Sequence, residues 1–356
     1  MDPAELRAAF PVFEEGAYLN AGTCGPLPAS ARAAVDEVLA RATAVGRAGE
    51  YYDALLAQRA ALRSAYARLL GATDDEVALT TCTTEGLVRV LVGLDLQPGD
   101  EVLTSTDEHP GLLLPLSAAR AQRGVEVRTV PFAQLADAVT PATKLVACSH
   151  VSWIDGRLAP DLTGLDVPVL FDGAQGVGGV PVDVRALGCA FYAGSGQKWL
   201  CGPVGTGMLW VAPEWGERVV ARGPWYLNVE DPGAGLDAVP KATAARHDTF
   251  SQSLEIASAA AASLAVLADF GWDALHERAA ALAETLAAML AERGHTVAPR
   301  GRTTLVSWQD QDPPATRDRL AAAGIVIRDL PGTGLLRASV GAWNDESDLE
   351  RLLAAL

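Results

Sequence analysis

The chain has 356 residues and a formal net charge of −16, with 49% hydrophobic and 20% charged residues, enough for one large domain or two moderate ones around a well-buried core. This acidic excess leaves no basic stripe for phosphate backbones, which argues against a nucleic-acid partner. Met1–Phe13 lacks a basic segment followed by an apolar one, and the alanine-rich runs are too short and too interrupted to span a bilayer, so the sequence predicts a cytoplasmic protein with no membrane association.

Predicted elements alternate between amphipathic helices and short apolar strands, the pattern of an α/β fold with a mainly parallel central sheet. Helical spacing covers Ala29–Val45 and Tyr51–Leu70. A strand at Glu76–Thr81 leads into a helix to about Leu96, and the Pro98-Gly99-Asp100 turn precedes a strand at Glu101–Ser105. His109–Arg123 is helical. Strands follow near Val125–Val130, Lys144–Cys148, Val167–Phe171, Ala190–Ala193 and Gly207–Val211. Pro, Gly and Asp crowd Val229–Ala242, which marks a boundary. Residues 16–240 read as a large domain, and 241–356 with 1–15 as a smaller α+β domain. In the latter, Leu254–Phe270, Trp272–Arg293 and Glu346–Leu356 are helical, and Thr303–Ser307, Ile325–Ile327 and Leu335–Ser339 extended.

The five cysteines, Cys24, Cys82, Cys148, Cys189 and Cys201, are odd in number and scattered without a CxxC pair, which predicts neither a disulfide framework nor a metal site. Lysine usage is more informative. Only Lys144, Lys198 and Lys241 occur, because nearly all positive charge is carried by arginine. A lysine kept in a glycine-rich segment, Ala193-Gly194-Ser195-Gly196-Gln197-Lys198-Trp199, points to chemistry that arginine cannot perform, since an amine can form an imine and a guanidinium cannot.

Other residues converge on the same chemistry. Asp172 follows the buried strand VPVLF, where the carboxyl end of a parallel strand faces a ligand crevice. An acid there can hold a pyridine nitrogen protonated, although a helix-capping aspartate reads similarly when DGAQ stands alone. Thr80-Thr81-Cys82-Thr83-Thr84-Glu85-Gly86 runs from a strand into a helix, whose free amides and hydroxyls suit a phosphate. Ser195 and Gln197 add donors, and His109 can lie flat on a planar ring.

Taken in order, TTCTTEG (80–86), DEHPG (107–111), SHVSW (149–153), LFDGAQ (170–175), AGSGQKW (193–199) and CGPVGTG (201–207) resemble the class V aminotransferases, fold-type I enzymes dependent on pyridoxal 5′-phosphate (PLP). The resemblance runs from about Tyr18 to the C-terminus and is nearest to the cysteine/cystine C–S lyases. Cysteine desulfurases, isopenicillin N epimerases and kynureninases are wider relatives. It implies a Schiff-base lysine that also moves the substrate α-proton at Lys198, a pyridine-nitrogen partner at Asp172, a donor to the ring hydroxyl at Gln175 and a ring-stacking group at His109. Thr83, Thr84 and Ser195 match phosphate ligands. Gln197 replaces the family's usual histidine, and Ser251 falls where relatives reach across a dimer interface to the neighbour's phosphate. Arg337 matches the α-carboxylate clamp, Asn20 lies in the N-terminal substrate loop, and Trp153 stands where desulfurases place asparagine, which favours the lyase branch. The resemblance also implies a homodimer with shared active sites and an amino-acid substrate.

A persulfide-forming desulfurase needs a thiol near the substrate-binding arginine, yet Ile327–Leu349 contains no cysteine. Cys24 is the one thiol on a loop expected to approach the site, where a small-residue packing role is the stronger reading. The sequence therefore favours β-elimination from cystine or a cysteine S-conjugate, giving pyruvate, ammonia and a thiol or persulfide. An aminotransferase or epimerase acting on a pathway-specific amino acid is the alternative.

Overall fold

The computed structural model describes residues 1–356. Seven strands form the main sheet: β1 (Val77–Thr80), β2 (Glu101–Ser105), β3 (Glu126–Val130), β4 (Thr143–Ser149), β5 (Val169–Asp172), β6 (Phe191–Ser195) and β7 (Gly207–Val211). Their order is β1-β7-β6-β5-β4-β2-β3, parallel throughout except for β7, which runs antiparallel to both its neighbours. The predicted α/β class with a mainly parallel sheet is the observed one.

Successive side chains on a strand point to opposite faces, so a sheet covered on both sides needs apolar residues at nearly every position. Val146, Phe171 and Tyr192 enter one core, and Leu145, Leu170 and Phe191 enter the other. Helices α1 (Ala29–Val45) and α2 (Gly49–Leu70) precede the sheet, and α3 (Thr83–Gly93) and α4 (Pro110–Arg123) follow β1 and β2. Leu87, Leu91, Leu112 and Leu116 of α3 and α4 cover one face, whereas Leu62, Tyr66 and Leu70 of α2 cover the other.

Beyond the Pro/Gly-rich segment come α5 (Leu254–Phe270) and α6 (Trp272–Glu292), then β8 (Leu305–Gln309), α7 (Pro313–Ala322), β9 (Arg328–Leu330), β10 (Leu335–Ser339) and α8 (Glu346–Ala355). The three strands pair antiparallel in the order β9-β10-β8 around a core of Leu282, Leu286, Trp308, Leu336, Leu349 and Leu352. Helix α5, which the sequence groups with the small domain, sends Ala260 and Leu264 into the large-domain core and so bridges the two units. Residues Ala17–Tyr18 pair with Ile325–Val326, so the N-terminal segment crosses the small domain before its loop reaches the sheet. Three helices, Pro3–Ala8, Val12–Glu15 and α7, escaped the periodicity. Pro3–Ala8 is a single capped turn and a half, and α7 buries only Leu320, leaving no apolar stripe to read. No single helix is long and apolar enough to cross a membrane.

One buried ion network fixes the segment entering α5. Asp248 accepts from Arg59 Nη2 (3.1 Å), from Arg63 Nη1 and Nη2 (3.0 and 2.7 Å) and from the Leu79 amide (2.9 Å). It thereby joins α2, β1 and the turn that presents Phe250 and Ser251. Arg59 and Asp248 are both almost fully buried. Removing one partner of a buried pair leaves an uncompensated charge, a cost of about 3–5 kcal/mol. Asp248→Ala is therefore expected to lower the denaturant midpoint by that order. An unchanged midpoint in an equilibrium unfolding curve contradicts this account.

Candidate active site

The site lies beyond the carboxyl ends of β4, β5 and β6. Ser149, Asp172 and Ala193 sit side by side in adjacent strands, so the pairing register sets the depth of Asp172. Asp172 is buried; one carboxylate oxygen accepts from the Ala174 amide (3.0 Å), and the other takes no hydrogen bond from the chain. Burial raises its pKa, and the Lys198 charge opposes that shift. Lys198 itself follows β6 by three residues, in a turn closed by Cys201 N–H to Lys198 O (3.1 Å) and Gly202 N–H to Gly196 O (2.9 Å). Cys201, at φ 53°, is the only non-glycine residue in the left-handed region, a strained conformation of the kind that concentrates at functional sites. Burial lowers the Lys198 amine to about 8, with Arg337 and Arg328 adding to the fall and Asp172 resisting it. A lysine so placed has a larger neutral, nucleophilic fraction at physiological pH than an ordinary lysine.

Helix α3 starts at Thr83 without a side-chain cap. The Thr83 amide and hydroxyl meet Ser195 Oγ (3.1 and 2.6 Å), and Glu85 turns back to Thr81, accepting from its amide (2.6 Å) and hydroxyl (2.7 Å). The Thr84 and Glu85 amides stay open to an anion at the positive end of the helix dipole. The Thr84 hydroxyl instead donates to Gly111 O (3.1 Å), tying α3 to α4. Of the predicted phosphate ligands, Thr83 and Ser195 are thus brought together, and Thr84 offers its backbone.

His109 caps α4, its Nδ1 accepting the Gly111 amide (2.9 Å), which leaves the proton on Nε2. Burial first, then the Lys198, Arg328 and Arg337 charges, lower its pKa to about 4, so the ring is neutral. Trp153 stands edge-on to it at 5.0 Å and 88°, with its indole N–H held by Asp107 O (2.9 Å). Gln175 is clamped between Trp199 Nε1 (3.0 Å) and Gly22 O (2.8 Å), which leaves one amide hydrogen for a ligand. Gln197 keeps a buried, unpartnered Oε1.

The C-terminal antiparallel sheet adds two arginines to this space. Arg337 on β10 is fully buried; its Nη1 donates to Trp153 O (2.5 Å), while Nε and Nη2 have no partner. Those two groups form the side-on edge that grips a carboxylate with two parallel hydrogen bonds. Directly across from it on β9 is Arg328, which the sequence reading missed. Arg328 reaches Thr23 Oγ1 (3.4 Å) and Asp329 O (3.2 Å) and makes no ion pair. The signal was present, because the two arginines flank a Pro331-Gly332-Thr333-Gly334 turn and must face each other across the hairpin it closes.

The loop 20–26 covers this space. A Cβ at Gly22 would come within 2.7 Å of Ser339 Oγ and 2.9 Å of Arg337 Nη2, and the Gly25 amide donates to Gln197 O (2.8 Å). Asn20 spends its side-chain oxygen on the Thr23 hydroxyl (2.8 Å), which places it as a brace for the loop. Cys24 is half-buried on the same loop. Ser251 is exposed and makes no contact with Thr83 or Ser195 of its own chain. A carboxylate at ring depth, open helix amides, a neutral imidazole and a buried lysine together fit PLP.

Comparisons with known proteins agree with this geometry. The class-V aminotransferase family model matches residues 18–352. A probable cysteine desulfurase from Methanothermobacter thermautotrophicus is 32% identical over 67% of this chain and 64% of its own length. The cysteine desulfurase CsdA of Escherichia coli is 29% identical over 100% of this chain and 97% of its own, and an isopenicillin N epimerase of Streptomyces clavuligerus is 28% identical over 95% and 93%. Among solved structures, a lysine-to-alanine variant of C-DES with glycine covalently linked to its PLP cofactor superposes with a TM-score of 0.91, at 25% identity and 98% coverage of both chains. The cystine C–S lyase C-DES in complex with its reaction product cysteine persulfide gives 0.89 at 26% identity, over 97% of this chain and 98% of that one.

A neutral amine is required for covalent attachment of the PLP aldehyde. With Lys198 lowered to about 8, the rate of PLP uptake by apo-protein is expected to rise with pH and level off just above 8, not near the ordinary lysine value. Lys198→Ala is expected to abolish the visible absorbance band. A band that survives the substitution refutes the assignment of Lys198.

Proposed function

The chain belongs to the class V aminotransferase family, PLP-dependent enzymes whose members similar to it include cysteine desulfurases and a cystine C–S lyase, and on that premise we propose that it cleaves a carbon–sulfur bond of cystine or a related cysteine S-conjugate by β-elimination. The observation that carries this reading is the pair of facing arginines. Like charges opposite each other on adjacent strands cost stability; the Asp329 charge eases that cost at Arg328 but is ion-paired to Arg317, and no carboxylate forms an ion pair with either facing arginine. A substrate with two carboxylates, one at each end, removes the repulsion. Cystine is such a molecule.

When bound, PLP supplies the electron sink that stabilises negative charge at the substrate α-carbon. The chain supplies the rest. Arg337 takes the α-carboxylate on its Nε/Nη2 edge and so orients the α-hydrogen, while Arg328 takes the distal carboxylate. The Lys198 amine would hold the cofactor through its aldehyde and, when free, would serve as the base for the substrate α-proton. Asp172 would hold a proton on the ring nitrogen, and the neutral His109 imidazole would lie beside the ring without adding a competing positive charge. Trp153 and the loop 20–26 exclude water from the same space. Sulfur would leave as a protonated persulfide or thiol, and the aminoacrylate, once released from the site, would take up water to give pyruvate and ammonia.

The second copy of the chain belongs to this reading. Phe250 and Tyr226 are 47% and 53% exposed, next to the half-exposed Val88 and Val92 of α3. Trp225 packs at 4.6 Å from Tyr226 and 6.0 Å from Phe250. An aromatic patch of this kind suits a homodimer face, from which Ser251 reaches the neighbouring site.

Two measurements test these statements. PLP-loaded protein given cystine is expected to release pyruvate together with persulfide. Conversion to pyridoxamine phosphate without pyruvate means a transaminase instead, and loss of substrate chirality without either product means an epimerase. In the same assay Arg328→Ala is expected to raise KM for cystine about 10- to 100-fold and to leave a conjugate with one carboxylate nearly unaffected; equal effects on both refute the distal contact. In light scattering the active protein is expected at twice the chain mass, and a fully active monomer contradicts the shared site.

A further inference from the structure

Glu108 precedes His109 and is buried to 4% exposure, yet no cation pairs with it. Its Oε1 accepts from Ser105 Oγ (2.7 Å), and its Oε2 accepts from both the amide (3.0 Å) and the hydroxyl (2.5 Å) of Ser149. Ser105 ends β2 and Ser149 ends β4, which are neighbours in the sheet. One carboxylate therefore joins two strand tips at the edge where the site begins. Ser149 is in turn the register partner of Asp172 on β5.

A carboxylate is needed because all three groups donate. The Ser149 amide has no other role open to it, and Ser105 Oγ already accepts the Asp107 amide (3.2 Å), which directs its proton toward Glu108. Only a side chain with acceptors at both ends meets these demands. The arrangement is expensive. Burial raises the Glu108 carboxyl to about 7 against the three hydrogen bonds, and the nearby charge of Asp172 pushes the same way. A bridge whose only task was to pair two strands would be cheaper with a neutral group.

The bridge closes on His109. Residue 107 is held by Trp153 Nε1 on its carbonyl (2.9 Å) and by Arg157 Nη2 on its side chain (3.1 Å), residue 108 by the two strand tips, and the His109 ring by the Gly111 amide. Pro110 fixes the backbone immediately after it. We propose that Glu108 is a positioning residue that sets the His109 ring against the bound PLP, by anchoring the preceding backbone to the tips of β2 and β4. The inference rests on the PLP reading of the site, but not on the identity of the substrate.

The test is a double-mutant cycle on PLP-loaded, substrate-free protein, read by the visible circular dichroism of the bound cofactor and then by kcat and KM. Glu108→Ala is expected to move the dichroism in the direction His109→Ala does and to lower kcat about 10- to 100-fold, with KM within about 3-fold. In the His109→Ala background Glu108→Ala is expected to change neither reading further, because the group it acts through is gone. Additive effects in the double variant, or unaltered dichroism in the single one, overturn the proposal. If Glu108→Ala does not fold, Ser149→Ala, which removes only one hydroxyl donor, enters the same cycle with the same expected non-additivity and the same overturning result. Wild-type protein without a Lys198-dependent band refutes the PLP reading and this inference together. A normal band with an additive cycle refutes this inference alone.

Discussion

The site depends on an imbalance of buried charge. Burial depresses the pKa of Lys198, Arg328 and Arg337, and Asp172 is the carboxylate whose charge acts on Lys198. Lys198 can relieve the crowding by giving up its proton, which the lowered pKa of about 8 makes easier than for an ordinary lysine. Arg337 has no such escape, because a guanidinium stays charged even after a large downward shift. Its Nε and Nη2 remain buried without a partner, an arrangement that an anion held at that edge would relieve.

Backbone geometry sets where those charges stand. The register that aligns Ser149, Asp172 and Ala193 is fixed by alternation, because a one-residue slip would drive Phe171 and Leu170 into the wrong cores. The N-terminal segment performs the equivalent task for the opposite wall. Pairing of Ala17–Tyr18 with Ile325–Val326, and the bridge from Asn20 to Ser339, lay the loop 20–26 across the join between the domains. Glycines at 22 and 25 are required by approach alone, since a side chain at either would collide with Arg337 or with the Lys198 backbone. One loop thus touches both the lysine turn and the carboxylate clamp.

Legibility in the sequence followed the range of the interaction. The strands of the main sheet and the long helices were readable because their periodicity is local and their cores are apolar; helix α7, polar on nearly every side, was not. Lys198 and Asp172 stood out because each lies in a glycine-rich or strand-end setting whose chemistry is intrinsic. Arg337 was reached only through family resemblance, since an arginine in a strand carries no local mark. Arg328 and Glu108 were missed for a related reason. Their roles arise from what faces them, a second arginine across a hairpin in one case and two serines 3 and 41 residues away in the other. The Asn20 side chain accepts from the Thr23 hydroxyl, a choice that depends on the loop's own turn geometry and has no local mark in the sequence.

The distribution of thiols favours a sulfur product that leaves as a small molecule. Burial raises the Cys148, Cys189 and Cys201 thiols, which keeps them protonated and poorly nucleophilic. Cys82 lies at the start of α3, on the phosphate side of the site. The hairpin that carries Arg328 and Arg337 has no thiol to receive sulfur from the substrate. Cys24, whose thiolate would favour the charged form of Lys198, is the one thiol in range of the chemistry, and its carbonyl is held by the Tyr18 hydroxyl (2.8 Å) on a loop pinned at both ends. A protein-bound persulfide must be handed on, and a carrier residue on a braced loop is badly placed for that motion. Elimination with release of a diffusible persulfide asks nothing of the loop except that it exclude water, which is what its hydrogen bonds equip it to do.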